Sequence, residues 1–304
     1  MASAIEVSAI IPTYNRRDLV IRAIESVLAQ TRSVDEIVVI DDGSTDGTGE
    51  LLRERYGDRV RYVYQSNAGV SAARNHGMSI AQGSYFALLD SDDEWLPEKT
   101  TRQIEWMEAH PDFGMVLCDV ERIDAERRVI DIFHRREVIR EDGWALRWII
   151  HNPALAPASA ILRREVFADV GGFDESLRTA EDIDFHLRVA HRWQIGVVEA
   201  PLVRAMRGHD GLSAESSTYD DYVRVVERAV DNARGKVDAA ELNRALAATY
   251  ARNARGLLIQ KRWGDGYRMA TQAWRLTPDA ALRRDLLRLI PFGLRRAVRG
   301  LLPG

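Results

Sequence analysis

The sequence predicts an α/β fold, in which helices flank a mostly parallel, mixed sheet, followed by an α-helical C-terminal region. Short apolar runs at residues 7–11, 36–40 and 85–89 alternate with segments of helical periodicity. Such runs are typical of strands buried on both faces of a parallel sheet. Polar residues follow each run directly, at the strand ends where open α/β sheets bind ligands. Later in the chain, apolar residues recur only at helical spacing. We therefore predict a sheet-containing domain over residues 1–215 and a helical region over residues 216–304.

Composition argues against several classes of protein. The 304 residues carry a formal net charge of -4, which argues against nucleic-acid binding, because that function usually needs a basic surface. The single cysteine, Cys118, excludes an internal disulfide framework and a zinc site of several thiolates. The N-terminus shows no basic start followed by an apolar stretch, and no window approaches the roughly 20 apolar residues that span a bilayer. We expect a cytoplasmic protein, and peripheral association with the inner face of a membrane stays open.

The first two apolar runs each lead into a polar loop. Residues 7–11 are followed by Pro12-Thr13-Tyr14-Asn15. Asn15 is placed to cap the helix that comes next, whose apolar residues repeat at helical spacing. The strand, helix, strand order predicts one parallel unit, so both polar loops should lie at the same sheet edge.

The loop after the second run begins Asp41-Asp42-Gly43 and is rich in glycine. It lacks the G-x-G-x-x-G pattern of dinucleotide sites and the lysine of a P-loop. Acids at a sheet edge repel phosphate and favour hydrogen-bond donors. Asp42 is suited to accept the imide N–H of uracil or thymine, a proton that cytosine lacks. A turn with an aspartate cap explains the same residues without a ligand, and both interpretations stay open.

A third strand is predicted over residues 59–64, and residues 67–69 lead into a helix that contains Arg74 and Asn75. An arginine in this position is either a solvated surface residue or a fork-shaped clamp for a diphosphate.

The third apolar run, residues 85–89, ends in the acids Asp90, Asp92 and Asp93. Carboxylates this close repel one another unless each is solvated or a cation lies among them. Mg²⁺ or Mn²⁺ fits best, because these hard ions prefer oxygen ligands and commonly use one or two carboxylates plus substrate phosphates. The alternative is a solvated acidic turn that caps the helix beginning near Pro97.

The second half of the domain is less regular. We predict a helix over residues 97–110, a strand over 114–120, and a variable loop over 121–155, where arginines alternate with acids. Thr179 and Asp182 have the spacing of a helix N-cap and an acid in the first turn. Two closing strands, 194–198 and 202–206, lead to Arg207 and His209, where a histidine is either solvated or ligating.

Four motifs together resemble those of family 2 inverting glycosyltransferases with the GT-A fold. In order, they are Ile11-Pro-Thr-Tyr-Asn15, Ile40-Asp-Asp-Gly-Ser-Thr-Asp46, Asn67-x-Gly69 followed by Ala73-Arg-Asn75, and Leu89-Asp-Ser-Asp-Asp93. The resemblance covers about residues 5 to 215. It implies a metal-dependent transfer of a sugar, with a UDP-sugar favoured as the donor, to a hydroxyl of a glycan or lipid-linked acceptor. The implied setting is bacterial-type assembly of surface polysaccharide or glycoconjugate.

The same resemblance implies roles for individual residues. Asp182, which follows Gly-Gly-Phe-Asp as in the family, is the implied general base, and Glu181 orients the acceptor. Asp92 and His209 are the implied ligands of Mn²⁺ or Mg²⁺. The implied contacts of the nucleotide sugar are Pro12, Thr13, Tyr14, Asn15, Asp42, Asn67, Arg74, Asp90 and Ser91.

Two other functions stay open. A module could keep the fold and bind the nucleotide sugar without turnover, since fold does not fix function. An Asp-x-Asp phosphohydrolase of the haloacid dehalogenase kind would need a threonine or valine just after the motif and a downstream lysine. Here Glu94 and Trp95 follow the motif, and Lys99 is the only lysine before Lys236, so this alternative is disfavoured.

The C-terminal region shows two helical arms separated by Gly264-Asp-Gly266, which weakly resemble one tetratricopeptide hairpin. One such unit cannot bury its own apolar face, so we expect it to pack on the catalytic domain or on a partner subunit, which leaves a homo-oligomer open. The tail, residues 281–304, carries six arginines and one aspartate among interleaved leucines. This tail fits a helix in the interface of an anionic membrane and equally a helix docked on its own protein.

Overall fold

A computed structural model describes residues 6–153, 155–206 and 218–289. The chain divides into two compact units, Met1–Glu215 and Ser216–Gly304.

The first half of the larger unit alternates strands and helices, as the apolar runs predict. Strand β1 pairs in parallel with β2 and β4, and β2 pairs in parallel with β3. The carboxyl ends of these strands therefore meet at one sheet edge. The elements are β1 (Val7–Thr13), α1 (Arg17–Leu28), β2 (Glu36–Asp41), α2 (Thr48–Tyr56), β3 (Arg61–Tyr64), α3 (Val70–Ile80) and β4 (Tyr85–Leu88).

The second half adds antiparallel pairs and completes a mixed sheet. Its elements are β5 (Glu94–Trp95), α4 (Lys99–Ala109), β6 (Phe113–Ile123), β7 (Val129–Phe133), α5 (Leu146–Ile149), β8 (Ile161–Arg163), α6 (Arg164–Val170), α7 (Glu181–Arg192) and β9 (Gln194–Met206). The strand order is β3-β2-β1-β4-β8-β6-β9-β5, with β7 paired to β6. Strand β8 is antiparallel to β4 and β6, whereas β9 is parallel to β6. The predicted mixed sheet flanked by helices is confirmed.

The core lies on both faces of the central strands. Every residue of β1 and β4 is buried, because helices cover the sheet on each side. Helix α3 comes especially close to β1: a Cβ atom on Gly77 would lie 2.6 Å from Cγ2 of Ile10. This close approach matters for the edge of the sheet, because α3 also carries Arg74 and Asn75.

Several local predictions were wrong. Residues 121–155 are not one variable loop, since β6 extends to Ile123 and forms a hairpin with β7. Residues 194–206 form the single strand β9, not two strands, although its pairing with β6 is irregular. Arg122 of β6 and Asp131 of β7 are cross-strand partners in this hairpin.

Two predicted helix caps also differ. The N-cap of α1 is Arg16 and not Asn15, and the N-cap of α7 is Ala180 and not Thr179. Asn15 and Ala180 both have positive φ, of 49° and 61°. In each case the chain turns through the left-handed region just before the helix, and this backbone turn is invisible in the residue spacing.

The smaller unit is helical, as predicted. Its helices are α8 (Thr218–Ala233), α9 (Ala239–Ile259), α10 (Trp263–Leu276) and α11 (Ala280–Arg288). Gly264 and Gly266 lie in the first turn of α10, so the predicted break falls a few residues earlier. Asp238 and Asp279 cap α9 and α11, each accepting two backbone N–H groups. The tail beyond residue 289 lies outside the described residues. None of the described helices is both long and apolar enough to cross a bilayer.

Replacing Gly77 by alanine tests the contact of α3 with β1. We expect Gly77→Ala to lower the free energy of unfolding by about 1–3 kcal/mol, because an added methyl group overpacks a well-filled core. Urea unfolding followed by tryptophan fluorescence measures this change. Ser79→Ala, at an exposed position of the same helix, should stay within about 0.5 kcal/mol of the unsubstituted protein. Equal stability of the two variants would contradict the close packing.

Candidate active site

The carboxyl ends of β1, β2 and β4 bring three of the predicted polar loops to one edge of the sheet. Hydrogen bonds of Asn15 join the loop after β1 to the loop after β2. The Asn15 amide donates to Ser44 Oγ at 2.8 Å, and the Thr45 amide donates to Asn15 Oδ1 at 2.8 Å. Asn15 is therefore a link between loops, a role that its spacing from the helix did not reveal.

Side chains of the β1 end offer both an aromatic surface and an unused hydroxyl. Tyr14 is 49% exposed. Thr13 is buried, and its Oγ1 has no hydrogen-bond partner among the described residues. Pro12 lies within β1, opposite Ile40 of β2.

Asp42 is buried and holds the loop that precedes α3. Its Oδ1 accepts hydrogen bonds from Gln65 Nε2 and the Ala68 amide, and its Oδ2 accepts one from the Gly69 amide, all at 2.7 to 2.9 Å. A carboxylate has about four acceptor positions, so one position on Oδ2 is left for another donor. Recognition of the nucleotide base by Asp42 stays a prediction. The same carboxylate would then bind the base and hold the loop before α3.

Asn67 belongs to the same loop and is exposed. Its backbone lies against Gly43, where an added Cβ would come within 2.9 Å of the Asn67 amide nitrogen, and Gly43 has a φ of 90°. Glycine is thus required at this position twice over, by space and by backbone conformation.

The acids after β4 form the most strongly charged part of the edge. Asp92 Oδ2 pairs with Nη1 of Arg16 at 2.8 Å. Asp93 is buried, and burial followed by the charges of Asp90 and Asp92 raises its pKa well above the usual value. Ser91, between them, is buried as well. The three predicted acids therefore lie close enough to repel one another.

These acids fit a divalent ion that binds together with substrate phosphates. Within the described ranges, no group of three or more His, Cys, Asp or Glu side chains is arranged to hold a metal ion. Mg²⁺ and ions like it are often bound through one or two carboxylates plus substrate phosphates. Asp92 supplies the hard oxygen ligand that such binding needs. The other predicted ligand, His209, lies outside the described residues, as does Arg207.

Arg74 connects the acids after β4 with the start of α7. Its Nη2 donates to Asp90 Oδ1 at 2.5 Å and its Nη1 donates to Glu181 Oε1 at 2.7 Å. The guanidinium is 4% exposed and lies 5.0 Å from the centre of the Phe173 ring. The carboxylates of Asp90 and Glu181 raise the pKa of Arg74 despite its burial, so the charge is permanent. Its predicted contact with the donor stays a prediction, since both ends of the fork already bind carboxylates.

Asn75, next to Arg74, fixes the segment that leads to α7. Its Nδ2 donates to the carbonyl oxygen of Phe173 at 2.9 Å, and its Oδ1 accepts from the Phe173 amide at 2.7 Å. A Cβ on Gly172 would lie 2.2 Å from Asn75 Oδ1. The predicted site residues did not include Asn75, although the motif Ala73-Arg-Asn75 contained the signal.

Asp182 lies in the first turn of α7, directly after Glu181. Its Oδ1 accepts from the Ile183 amide at 2.8 Å. Burial, together with the neighbouring Glu181 charge, raises the pKa of Asp182 to about 7, although Arg74 acts in the opposite direction. A carboxylate with a pKa near neutral is suited to accept a proton.

His186 supports this turn from inside the protein. It is fully buried, and its Nδ1 donates to the Asp182 carbonyl oxygen at 2.6 Å. Burial lowers the pKa of His186 to about 3, so the ring is neutral. We had not predicted this residue, because a histidine within an amphipathic helix carries no distinctive signal.

Comparison with known proteins places this chain in a family. The family model for glycosyl transferase family 2 matches residues 8–171, more than half of the chain. A putative teichuronic acid biosynthesis glycosyltransferase, TuaG of Bacillus subtilis, is 36% identical over 150 residues, which cover 48% of this chain and 53% of that protein. The chain spans between 32 and 53% of the lengths of four curated relatives.

Solved structures share the fold. S. aureus TarS in complex with UDP-GlcNAc superposes with a TM-score of 0.69 at 20% identity, covering 97% of this chain and 86% of that one. The mannosyltransferase PcManGT from Pyrobaculum calidifontis, in complex with GDP-Man and Mn²⁺, gives a TM-score of 0.61 at 20% identity, covering 98% and 84%. These likenesses confirm the GT-A fold. With the matched motifs at one edge of that fold, the chain belongs to glycosyl transferase family 2.

Proposed function

We propose that this protein is an inverting, metal-dependent glycosyltransferase that moves a sugar from a UDP-sugar to a hydroxyl of a glycan or lipid-linked acceptor. The observation that carries the proposal is the pair of carboxylate environments joined by Arg74. On one side lie the crowded acids Asp90 to Asp93, suited to a cation, and on the other lies Asp182, with a pKa near 7.

On the donor side, this chain's residues bind the nucleotide and place its diphosphate. Asp42 offers the remaining acceptor position of Oδ2 to the imide N–H of uracil, and Tyr14 offers an exposed ring beside it. Asp92 and His209 would hold Mn²⁺ or Mg²⁺, which when bound stabilises the negative charge of the leaving nucleoside diphosphate. The remaining proposed donor contacts are Pro12, Thr13, Asn15, Asn67, Arg74, Asp90 and Ser91.

On the acceptor side, Asp182 takes the proton of the attacking hydroxyl. The oxygen attacks the anomeric carbon from the face opposite the leaving group, so the configuration inverts in one displacement. Arg74 binds Oε1 of Glu181, and Glu181 orients the acceptor through its other oxygen, Oε2. The hydrogen bond of His186 to the Asp182 carbonyl oxygen holds the turn, which keeps the base in place before the substrate arrives.

The setting of the reaction is part of the proposal. The name of the Bacillus subtilis relative supports surface polysaccharide or glycoconjugate as the acceptor class, and the fold shared with the UDP-GlcNAc complex supports a UDP-sugar. We propose a cytoplasmic protein, whose basic tail fits the inner face of a membrane and equally a helix docked on the protein itself. The helical unit, residues 216–304, is the surface that we propose for a second copy of the chain.

Donor binding tests the donor half of the proposal. Calorimetric titration with UDP, dTDP, GDP and CDP should give metal-dependent binding of UDP or dTDP, lost in EDTA and weakened at least about tenfold in Asp92→Ala, because Asp92 would hold the ion that neutralises the negative charge of the diphosphate. Asp18→Asn removes a carboxylate that is 82% exposed on α1 and should leave binding unchanged. Metal-independent binding, or an equal loss in both variants, would contradict the assignment of Asp92.

Replacing the base tests the chemical half. Asp182→Asn should lower kcat by about 10²–10⁴, the usual contribution of general-base catalysis, while the Kd for the donor changes less than about twofold. Asp92→Ala should lower kcat and also raise the Kd for the donor. Steady-state rates and calorimetry on the same preparations measure them. Donor binding without turnover in the unsubstituted protein would instead favour the non-catalytic module.

The pH dependence of kcat/KM tests the protonation state of Asp182. Only the deprotonated carboxylate accepts a proton, and its pKa of about 7 lies above the ordinary value. Activity should therefore rise about tenfold per pH unit below pH 7 and level off above it. The diphosphate diester of the donor does not titrate in this range, so donor binding should stay flat. A constant kcat/KM between about pH 5.5 and 8 would overturn the prediction.

A further inference from the structure

The turn between α9 and α10 presents two large apolar side chains to solvent. Ile259, the last residue of α9, is 75% exposed, and Trp263, the first residue of α10, is 53% exposed. Within the described residues 218–289, these are the only large apolar side chains that are exposed. Tyr267 follows Trp263 by one helical turn on the same side of α10 and is half-buried. The turn therefore carries a small apolar surface that its own unit does not cover.

Hydrogen bonds fix the backbone of this turn. The Arg262 amide donates to the Leu257 carbonyl oxygen at 2.9 Å. The Lys261 amide donates to the Leu258 carbonyl oxygen at 3.1 Å. These bonds form a Schellman motif with Lys261 at the left-handed position, where its φ is 63°. The guanidinium of Arg262 also pairs with Asp220 of α8 at 3.1 Å. The apolar side chains therefore belong to a fixed turn and not to a loose loop.

The lysine in this motif is not explained by the backbone. Glycine usually occupies the left-handed position of a Schellman motif, because a Cβ atom disfavours positive φ. Here the position holds Lys261, whose side chain is exposed and forms no ion pair with a described residue. Its charge is therefore available to a partner.

A second cation lies beside the apolar surface. Arg255 precedes Ile259 by one helical turn on the same side of α9 and is exposed. Like Lys261, it has no ion pair with any residue that the structure describes. Asp265, the first acid after the turn, is already paired with Arg262 at 2.8 Å. The apolar surface is thus bordered by two positive charges that the described part of the protein does not balance.

The charge of the whole helical unit has the same sign. Residues 216–304 contain 17 arginine and lysine residues but 9 aspartate and glutamate residues. The unit therefore carries a formal net charge of +8 in a chain whose net charge is -4. Within it, residues 242–264 contain five basic residues and no acid. Charge of this sign attracts an anionic partner.

The size and chemistry of the apolar surface favour a lipid partner over a protein. A large aromatic side chain buries about 150–250 Å², so Ile259 and Trp263 together provide far less than the roughly 800 Å² per partner of a stable protein interface. Binding to a bilayer needs no such area, because insertion of a few apolar side chains adds to the attraction between cations and anionic lipids. Tryptophan and tyrosine are also the residues enriched at the headgroup level of membranes.

We propose that the α9–α10 turn binds the surface of an anionic bilayer, with Ile259 and Trp263 inserted among the headgroups and with Arg255 and Lys261 on lipid phosphates. Long basic side chains can reach the phosphates while apolar neighbours lie deeper. This surface is separate from the basic tail beyond α11. It does not depend on the proposed sugar transfer.

Flotation of the full chain with lipid vesicles tests the proposal. Vesicles of phosphatidylglycerol and phosphatidylcholine should bind the protein, and pure phosphatidylcholine vesicles should bind it at least about tenfold more weakly. Ile259→Ser and Trp263→Ser should each weaken binding to the anionic vesicles at least about fivefold, because each removes an inserted apolar side chain. Trp144→Ser is the matched control: this side chain is 63% exposed on the larger unit, and its loss should leave binding unchanged.

Lys261→Gly separates binding from folding. It should weaken vesicle binding about threefold to fivefold, because it removes one cation from the anionic surface. The midpoint of urea unfolding should rise in the same variant, because glycine adopts positive φ without strain. Arg244→Gln removes one exposed charge about four turns earlier in α9, and should leave binding nearly unchanged. Weaker binding together with a lower midpoint in Lys261→Gly would contradict the proposal.

A spin label measures the depth of the turn in the bilayer. The only cysteine, Cys118, is fully buried, so Gln260→Cys supplies an accessible thiol for a nitroxide. With anionic vesicles, this nitroxide should become shielded from a water-soluble nickel relaxant. A nitroxide on Asn243→Cys, at an exposed position near the start of α9, should stay accessible to it.

Three results would overturn the proposal. They are no binding to anionic vesicles, binding that is unchanged in both serine variants of the turn, or an equal loss in Trp144→Ser. The second would assign the binding to the basic tail, and the third would indicate non-specific adsorption. If Trp263→Ser converted a dimer into a monomer without changing vesicle binding, the turn would instead contact a second copy of the chain.

Discussion

The buried ion pairs of Arg74 are the interaction on which the geometry of the candidate site depends. Its guanidinium holds Asp90 and Glu181, which are 91 residues apart in the chain, in one network. Taking a guanidinium out of water is costly, and two carboxylates with short hydrogen bonds offset that cost. Loss of one partner from such a buried group typically destabilises by about 3–5 kcal/mol, because it leaves an uncompensated charge. The network therefore fixes the separation between the acids after β4 and the proposed base at the start of α7.

Helix α3 transmits this constraint to the core. Arg74 holds two acidic segments while Asn75, the next residue, holds the backbone at Phe173. One turn further on, Gly77 lets the helix lie against β1. A shift of α3 would move both acidic segments together, so their relative position survives small motions of the helix. A single helix that holds Asp90 and Glu181 gives one rigid support to the segments that carry Asp92 and Asp182, which is the support that the proposed roles of these two residues need.

The sequence was most informative where structure is periodic or where backbone chemistry is local. Apolar runs predicted the central strands, and their carboxyl ends correctly predicted one polar edge. The partners of Arg74 were not predictable, because no periodicity relates Asp90 to Glu181. The prediction that Asn15 caps α1 was wrong because its backbone amide binds Ser44 and its side chain binds the Thr45 amide. The hairpin of β6 and β7 was missed because β7 is short and mostly exposed, and because it pairs only with the end of β6, where the strand becomes less buried. The structural hydrogen bonds of Asp42 were not predictable either, since its three donors belong to residues more than twenty positions away in the chain.

The segment from Asp90 to Glu94 is stabilised by three arginines that differ in exposure, and the difference determines what each can do. Arg74, on Asp90, is 4% exposed; Arg16, on Asp92, is 32% exposed; Arg127, on Glu94, is 37% exposed. Arg16 reaches solvent, so water can hydrate its guanidinium when a divalent ion competes for Asp92. Arg74 cannot leave Asp90 without exposing a buried charge. Among these acids, the one that the proposed function assigns to the metal is therefore paired with a readily displaced cation, whereas its neighbour Asp90 is held by a permanent one.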